Sequence, residues 1–221
     1  MIGWDVDPGS YDDVPDIGSK ENSVSAAAVE DPFNQPTLLE AAELIASRLT
    51  GHRVEIIGGQ ITVTPPADGP HGEVLTDLMV PLLAAGLHRD TSRVVQAIGL
   101  WLPGGPSDYA VPDLSVVDAD YRNHLIEANS YDPAVFRLVV EVTSSNYMAD
   151  VKIKPMVYAD AGIPVYLIVD RRNLKVMVLT DPHGGEYRVH AVHRPGQSFS
   201  LPESVGASVT LSVDEVLAAK K

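Results

Sequence analysis

The chain has 221 residues, 45% of them hydrophobic, enough for one sizeable domain with its own core plus an appendage. It has no cysteine, which excludes disulfides and thiolate metal sites, and no apolar run approaches the length that spans a bilayer. The formal net charge of −14 works against contacts to nucleic-acid phosphates, which need Lys and Arg.

The first residues, MIGWDVDPGS, have neither the basic start nor the apolar stretch of a secretory signal. A soluble, cytoplasmic protein with no membrane partner is therefore expected. Residues 1–36 carry eight acids and one base, a balance of −7, and the remainder carries 22 acids and 15 bases, also −7. Half of the excess charge thus sits in one-sixth of the chain. This lead-in is rich in Asp, Pro, Gly and Ser and lacks sustained periodicity, so it reads as a flexible acidic segment, with one domain over residues 37–221.

A helix is expected from Thr37, which has capping-box spacing to Glu40. Leu38, Ala41, Ala42, Ile45 and Leu49 form its apolar face, and Gly51 marks the stop. Two β-rich runs, 53–57 and 60–64, flank Gly58-Gly59, a pair that accepts the positive φ of a tight hairpin turn. A second helix covers about 71–86, with Pro81 expected to kink or interrupt it. Strands follow at about 92–102, 111–118 and 136–143, then a helix over 150–161 that stops at Gly162. Further strands run over 164–170, 174–179 and 186–193, with a short helix near 213–219. The order reads as α/β with a mixed central β-sheet flanked by helices.

Three features near the middle of the chain carry chemistry. Val111-Pro112-Asp113 opens the apolar run VPDLSVVD. Glu141 is a lone carboxylate inside LVVEVT, where burying an unpaired charge is expensive unless a cation offsets it. Asp150-Val151-Lys152-Ile153-Lys154 then enters a helix, with Tyr158 one turn later. Mg²⁺ prefers carboxylate oxygens and keeps waters. Two carboxylates from neighbouring strands can hold it, and a nearby lysine can orient or help deprotonate a water and steady the charge that grows on a phosphate.

Taken together in this order, RVEIIGGQITVTPP, His71, VPDLSVVD, LVVEVTSSN and DVKIKPMVYADAGIPVYLIVD resemble the Uma-type endonucleases, a group within the PD-(D/E)xK or restriction-endonuclease-like superfamily. The resemblance runs from about His52 to Leu179. It implies a restriction-endonuclease-like fold. It also implies Mg²⁺-dependent (alternatively Mn²⁺-dependent) hydrolysis of phosphodiesters in DNA, with Asp113 and Glu141 as the metal-holding carboxylates. The superfamily's lysine lies two residues after the glutamate, where this chain has Thr143. The resemblance makes Lys154, on the following helix, its match, with Lys152 as a substitute and Pro155 near the helix start. A homodimer follows if both strands of a duplex are cut by two sites related by a two-fold axis.

Each of these residues also has a structural reading. Glu141 can pair with a buried Arg or Lys, and Lys152 and Lys154 can be solvated helix lysines. Asp150 reads as a helix N-cap, His71 and Glu55 as surface residues, Tyr158 and Tyr166 as packing residues, and Ser144-Ser145-Asn146 as a polar loop. The alternative to an endonuclease is a catalytically inactive module on the same fold, serving protein interaction or regulation. Thr143 and the acidic body favour it.

Overall fold

Thr37 opens the first helix in the way its spacing to Glu40 requires. Its hydroxyl accepts from the Glu40 N–H at 3.2 Å, while the Glu40 carboxylate accepts from the Thr37 N–H at 2.7 Å. The structure is a computed structural model that describes residues 35–144 and 146–218. The chain from Pro36 onward forms one compact unit. The acidic lead-in therefore lies, but for its last two residues, outside the described residues, as does Ser145. No described helix is long and apolar enough to cross a membrane.

Helix α1 (Leu38–Arg48) is followed by the hairpin β1 (Arg53–Ile57) and β2 (Gln60–Thr64), whose turn has positive φ at both Gly58 and Gly59. Helix α2 (Gly69–Ala84) starts earlier than expected, because Asp68 caps it by accepting from the His71 N–H at 2.8 Å. Pro81 does not interrupt it. The expected strand over 92–102 is two strands, β3 (Ser92–Gln96) and β4 (Gly99–Trp101), broken at Ala97, which has φ +51°. They belong to different sheets, so the break lets the chain pass from one sheet to the other. Then come β5 (Tyr109–Ala110), β6 (Leu114–Asp118), β7 (Leu125–Glu127), β8 (Ser130–Tyr131) and β9 (Phe136–Val142).

The helix expected over 150–161 is composite: a π-helical turn over Ala149–Ile153 leads into α3 (Lys154–Asp160). Pro155 lies in the first turn of α3 and has no N–H to give to the preceding turn, whose Asp150 carbonyl accepts from the Tyr166 hydroxyl instead. The remainder is β10 (Val165–Asp170), β11 (Lys175–His183), β12 (Glu186–His193), β13 (Ser198–Ser200), β14 (Thr210–Ser212) and α4 (Val213–Val216).

The central sheet is mixed, in the order β12-β11-β10-β9-β6-β3, with β9 and β10 parallel and the other neighbours antiparallel. Alternation along β9 sends Leu138, Val140 and Val142 to one face, where Val74, Leu78 and Leu82 of α2 and Val213 and Val216 of α4 cover them. Val139 and Glu141 point to the opposite face, where Tyr158 of α3 packs with Tyr166. That face is also covered by a second sheet, in the order β2-β1-β5-β4-β8-β7, which contributes Leu100 and Ala110. Helices alone therefore do not flank the central sheet. The candidate carboxylates Asp113 and Glu141 lie where the two sheets meet.

Candidate active site

Asp113 and Glu141 come together by register. β6 runs antiparallel to β9 with Leu114 opposite Val140, so Asp113, one residue before the strand, falls beside Glu141. The Val142 N–H donates to Asp113 Oδ2 at 2.8 Å and fixes that carboxylate. Both acids are buried, at the floor of a pocket of about 220 Å³.

The first sheet supplies two further charges. Arg53 and Glu55 are two residues apart on β1 and so share a face. The Arg53 guanidinium bridges the two carboxylates, contacting Asp113 Oδ1 through one nitrogen and lying 3.5 Å from Glu141 Oε2 through the other. Glu55 is buried, its side chain reaching Lys154 across the space between the sheets. Its Oε1 accepts from the Val111 N–H at 2.8 Å and so ties down the segment that carries the chain from β5 to Asp113.

From the other side, the π-helical turn and α3 bring in Lys154, only 2% exposed. Its Nζ lies 2.7 Å from Glu141 Oε1, 3.1 Å from Glu55 Oε1 and 3.6 Å from Asp150 Oδ1. The Tyr158 hydroxyl donates to the same Glu141 oxygen at 2.9 Å, and the Tyr166 hydroxyl donates to the Asp150 carbonyl at 2.8 Å, so both tyrosines position the cluster as well as pack. A π turn carries an extra residue, and such turns recur at functional sites.

Four carboxylates (Glu55, Asp113, Glu141 and Asp150) thus face two cationic side chains, Arg53 and Lys154. Apart from His71, full ionisation leaves two negative charges uncompensated. Burial raises Asp113, but His71, the Arg53 guanidinium and the Val142 N–H outweigh it and hold this carboxyl well below the usual range. Burial pushes Glu141 up to about 8, against the pull of Lys154 and with the repulsion of Asp113 and Asp150. Burial disfavours charge on Lys154 as well, yet Glu141, Glu55 and Asp150 together keep its ammonium firmly protonated. Lys154 thus presents a protonated ammonium that can offset negative charge beside the pocket.

Among the described residues, no group of three or more His, Asp or Glu side chains is arranged to hold a metal ion. Magnesium in proteins is commonly held through one or two carboxylates, with water and phosphate oxygens completing its shell. Asp113 and Glu141 fit that pattern, since the pair already converges on one cation, the Arg53 guanidinium. His71 Nε2 adds a buried nitrogen 3.3 Å from Asp113 Oδ2 that makes no well-formed hydrogen bond.

Several of the structural readings of single residues are overturned. Asp150 is no N-cap; it lies inside the π turn, buried. His71 and Glu55 are not surface residues, and Lys154 is not solvated. Lys152 is exposed and lies outside the pocket lining. The Thr143 hydroxyl accepts from the Arg171 N–H at 3.1 Å, a backbone-positioning role. Arg53 was not among the expected site residues. Its alternation with Val54 and Ile56 marks a polar strand face, which periodicity alone does not distinguish from a solvated one. His71 had a usable signal: it precedes Val74, Leu78 and Leu82 at helical spacing and so shares the buried face of α2.

The family model described as Uma2, putative restriction endonuclease, matches residues 39–214. A crystal structure from Anabaena variabilis ATCC 29413, described as a putative nuclease belonging to DUF820, aligns over 85% of this chain and 100% of that chain. Its TM-score is 0.63 at 17% sequence identity, a likeness of fold. No match was found among curated proteins.

Proposed function

The chain belongs to the Uma2 family of putative restriction endonucleases, and from that premise and the pocket geometry we propose that it is a divalent-cation-dependent endonuclease acting on phosphodiesters of DNA. The observation that carries this reading is the convergence of Asp113 and Glu141 on a single cation position at the pocket floor, with Lys154 fixed on the far side of Glu141. Asp113 and Glu141 would hold Mg²⁺, or Mn²⁺ in its place, and that ion would supply Lewis-acid chemistry toward a phosphate oxygen and water.

The chain's own groups do the rest. The Val142 N–H and Arg53 hold Asp113 ionised and oriented. Tyr158 and Lys154 fix Oε1 of Glu141, leaving Oε2 toward the pocket. The Lys154 ammonium offsets negative charge that grows on the phosphate, a contribution largest in the transition state. Two copies related by a two-fold axis cut the two strands of a duplex.

The test is cleavage of several DNA forms with Mg²⁺ and with Mn²⁺, comparing wild type with Glu141→Gln. Cleavage by wild type alone supports the reading. No cleavage under any condition favours the rival, a protein-binding module on this fold. Two observations favour that rival: Arg53 already fills the position between the carboxylates, and the chain outside residues 1–36 has a balance of −7.

A further inference from the structure

Asp113 and Glu141 each have one oxygen committed to the interior and one that is not. Asp113 Oδ2 takes the Val142 N–H and faces His71, and Glu141 Oε1 takes Lys154 and Tyr158. The remaining pair, Asp113 Oδ1 and Glu141 Oε2, meets only Arg53 among the described residues.

The two cations of the pocket are held differently. Lys154 is boxed in by three acids and almost wholly buried. The Arg53 side chain is 23% exposed and lines the pocket, and its contact to Glu141 is long, at 3.5 Å. An arginine side chain has several rotatable bonds, and its planar fork matches a phosphate as well as a carboxylate.

From this we infer that Arg53 is an exchangeable internal cation. It covers Asp113 Oδ1 and Glu141 Oε2 in the metal-free protein, leaves them when a divalent cation takes those oxygens, and then holds a phosphate oxygen of the substrate. The exchange rests on the proposed metal-dependent reading and extends it. It keeps two buried carboxylates compensated before the metal arrives, since leaving them unpaired is strongly destabilising. It also supplies a positive contact to phosphate in an acidic protein only once the metal is in place.

The test is Mn²⁺ binding, read from the electron paramagnetic resonance signal of free Mn²⁺, on the full chain in wild-type, Arg53→Met, Arg53→Lys and Glu141→Gln forms. Arg53→Met removes the competitor, so its Mn²⁺ affinity rises by about tenfold, within the range usual for coupled sites. Arg53→Lys cannot span both carboxylates and falls between wild type and Arg53→Met. It also serves as the reporter if Arg53→Met does not fold by circular dichroism. In a second arm, with Ca²⁺ bound, Arg53→Met binds a short DNA duplex more weakly than wild type.

Unchanged or weaker Mn²⁺ binding in folded Arg53→Met or Arg53→Lys, with wild-type binding abolished by Glu141→Gln, overturns the exchange and leaves the metal site standing. Undiminished duplex binding by Arg53→Met overturns the phosphate half. If neither wild type nor the Arg53 variants take up Mn²⁺, the metal-dependent reading fails and the exchange fails with it.

Discussion

The ammonium of Lys154 stands 2.7 Å from Oε1 of Glu141, although the lysine lies 13 residues further along the chain and on a helix rather than on the strand of the glutamate. The position two residues after Glu141 is Thr143, whose hydroxyl instead accepts a backbone N–H. The charge is thus delivered from α3, and Glu55 and Asp150 share it. Those three acids favour the protonated ammonium, which places a positive charge beside the pocket.

Replacing Lys154 by Met strips the counter-charge from a buried carboxylate cluster. Breaking a buried pair from one side costs about 3–5 kcal/mol. Urea denaturation of Lys154→Met should show a loss of that order. Removing one charge-stabilising group should also lower turnover by about a hundredfold or more. A change within about 0.5 kcal/mol, as for a solvated surface lysine, together with wild-type turnover, would remove Lys154 from both roles.

Glu141→Gln keeps the shape of the side chain and removes its charge. A neutral oxygen is a poorer partner for Mg²⁺, so metal affinity should fall by at least about tenfold, or about 1.4 kcal/mol, and cleavage should vanish. Calorimetric titration with Mn²⁺ decides it. Wild-type affinity in the variant would mean that the metal sits elsewhere.

The cluster also sets a pH dependence. Glu141 is pushed up to about 8 by burial, and Asp150 up to about 6 for the same reason, from ordinary values of 4.5 and 3.8. Between those limits the folded protein holds protons that the unfolded chain has released, so stability falls as pH rises from about 4 to about 8. Asp113, held low, changes its contribution only below 3.8, and Lys154, held high, only above 10.5. Thermal melts of the metal-free protein should show the midpoint dropping across this window, with a shallower drop in Glu141→Gln. A midpoint that climbs through the window would contradict the assignment.

Removal of residues 1–36 should leave the melting midpoint unchanged. That stretch lacks periodic apolar residues, and the capping pair Thr37 and Glu40 stays in the shortened chain. A substantial drop in the midpoint of the truncated protein would show that the lead-in docks on the domain.

Local chemistry was enough for the elements whose limits depend on nearest neighbours. The Thr37–Glu40 box sets the start of α1, Gly58-Gly59 sets the hairpin at residues 53–57 and 60–64, and the apolar run containing Glu141 marks β9. The apolar run around Glu141 singled out that carboxylate, because a charge buried there must meet a partner, while Asp113 and Lys154 were matched through the family resemblance, with Lys152 as a substitute. Only the tertiary structure decided who those partners are. Arg53 and Glu55 lie on a polar strand face that faces another sheet rather than solvent, and no periodicity encodes that difference. The break at Ala97, which divides one β-rich run between two sheets, and the π turn that buries Asp150 and aims Lys154 are likewise set by packing across the molecule. Periodicity reports which residues share a face; burial depends on what the rest of the chain lays against it.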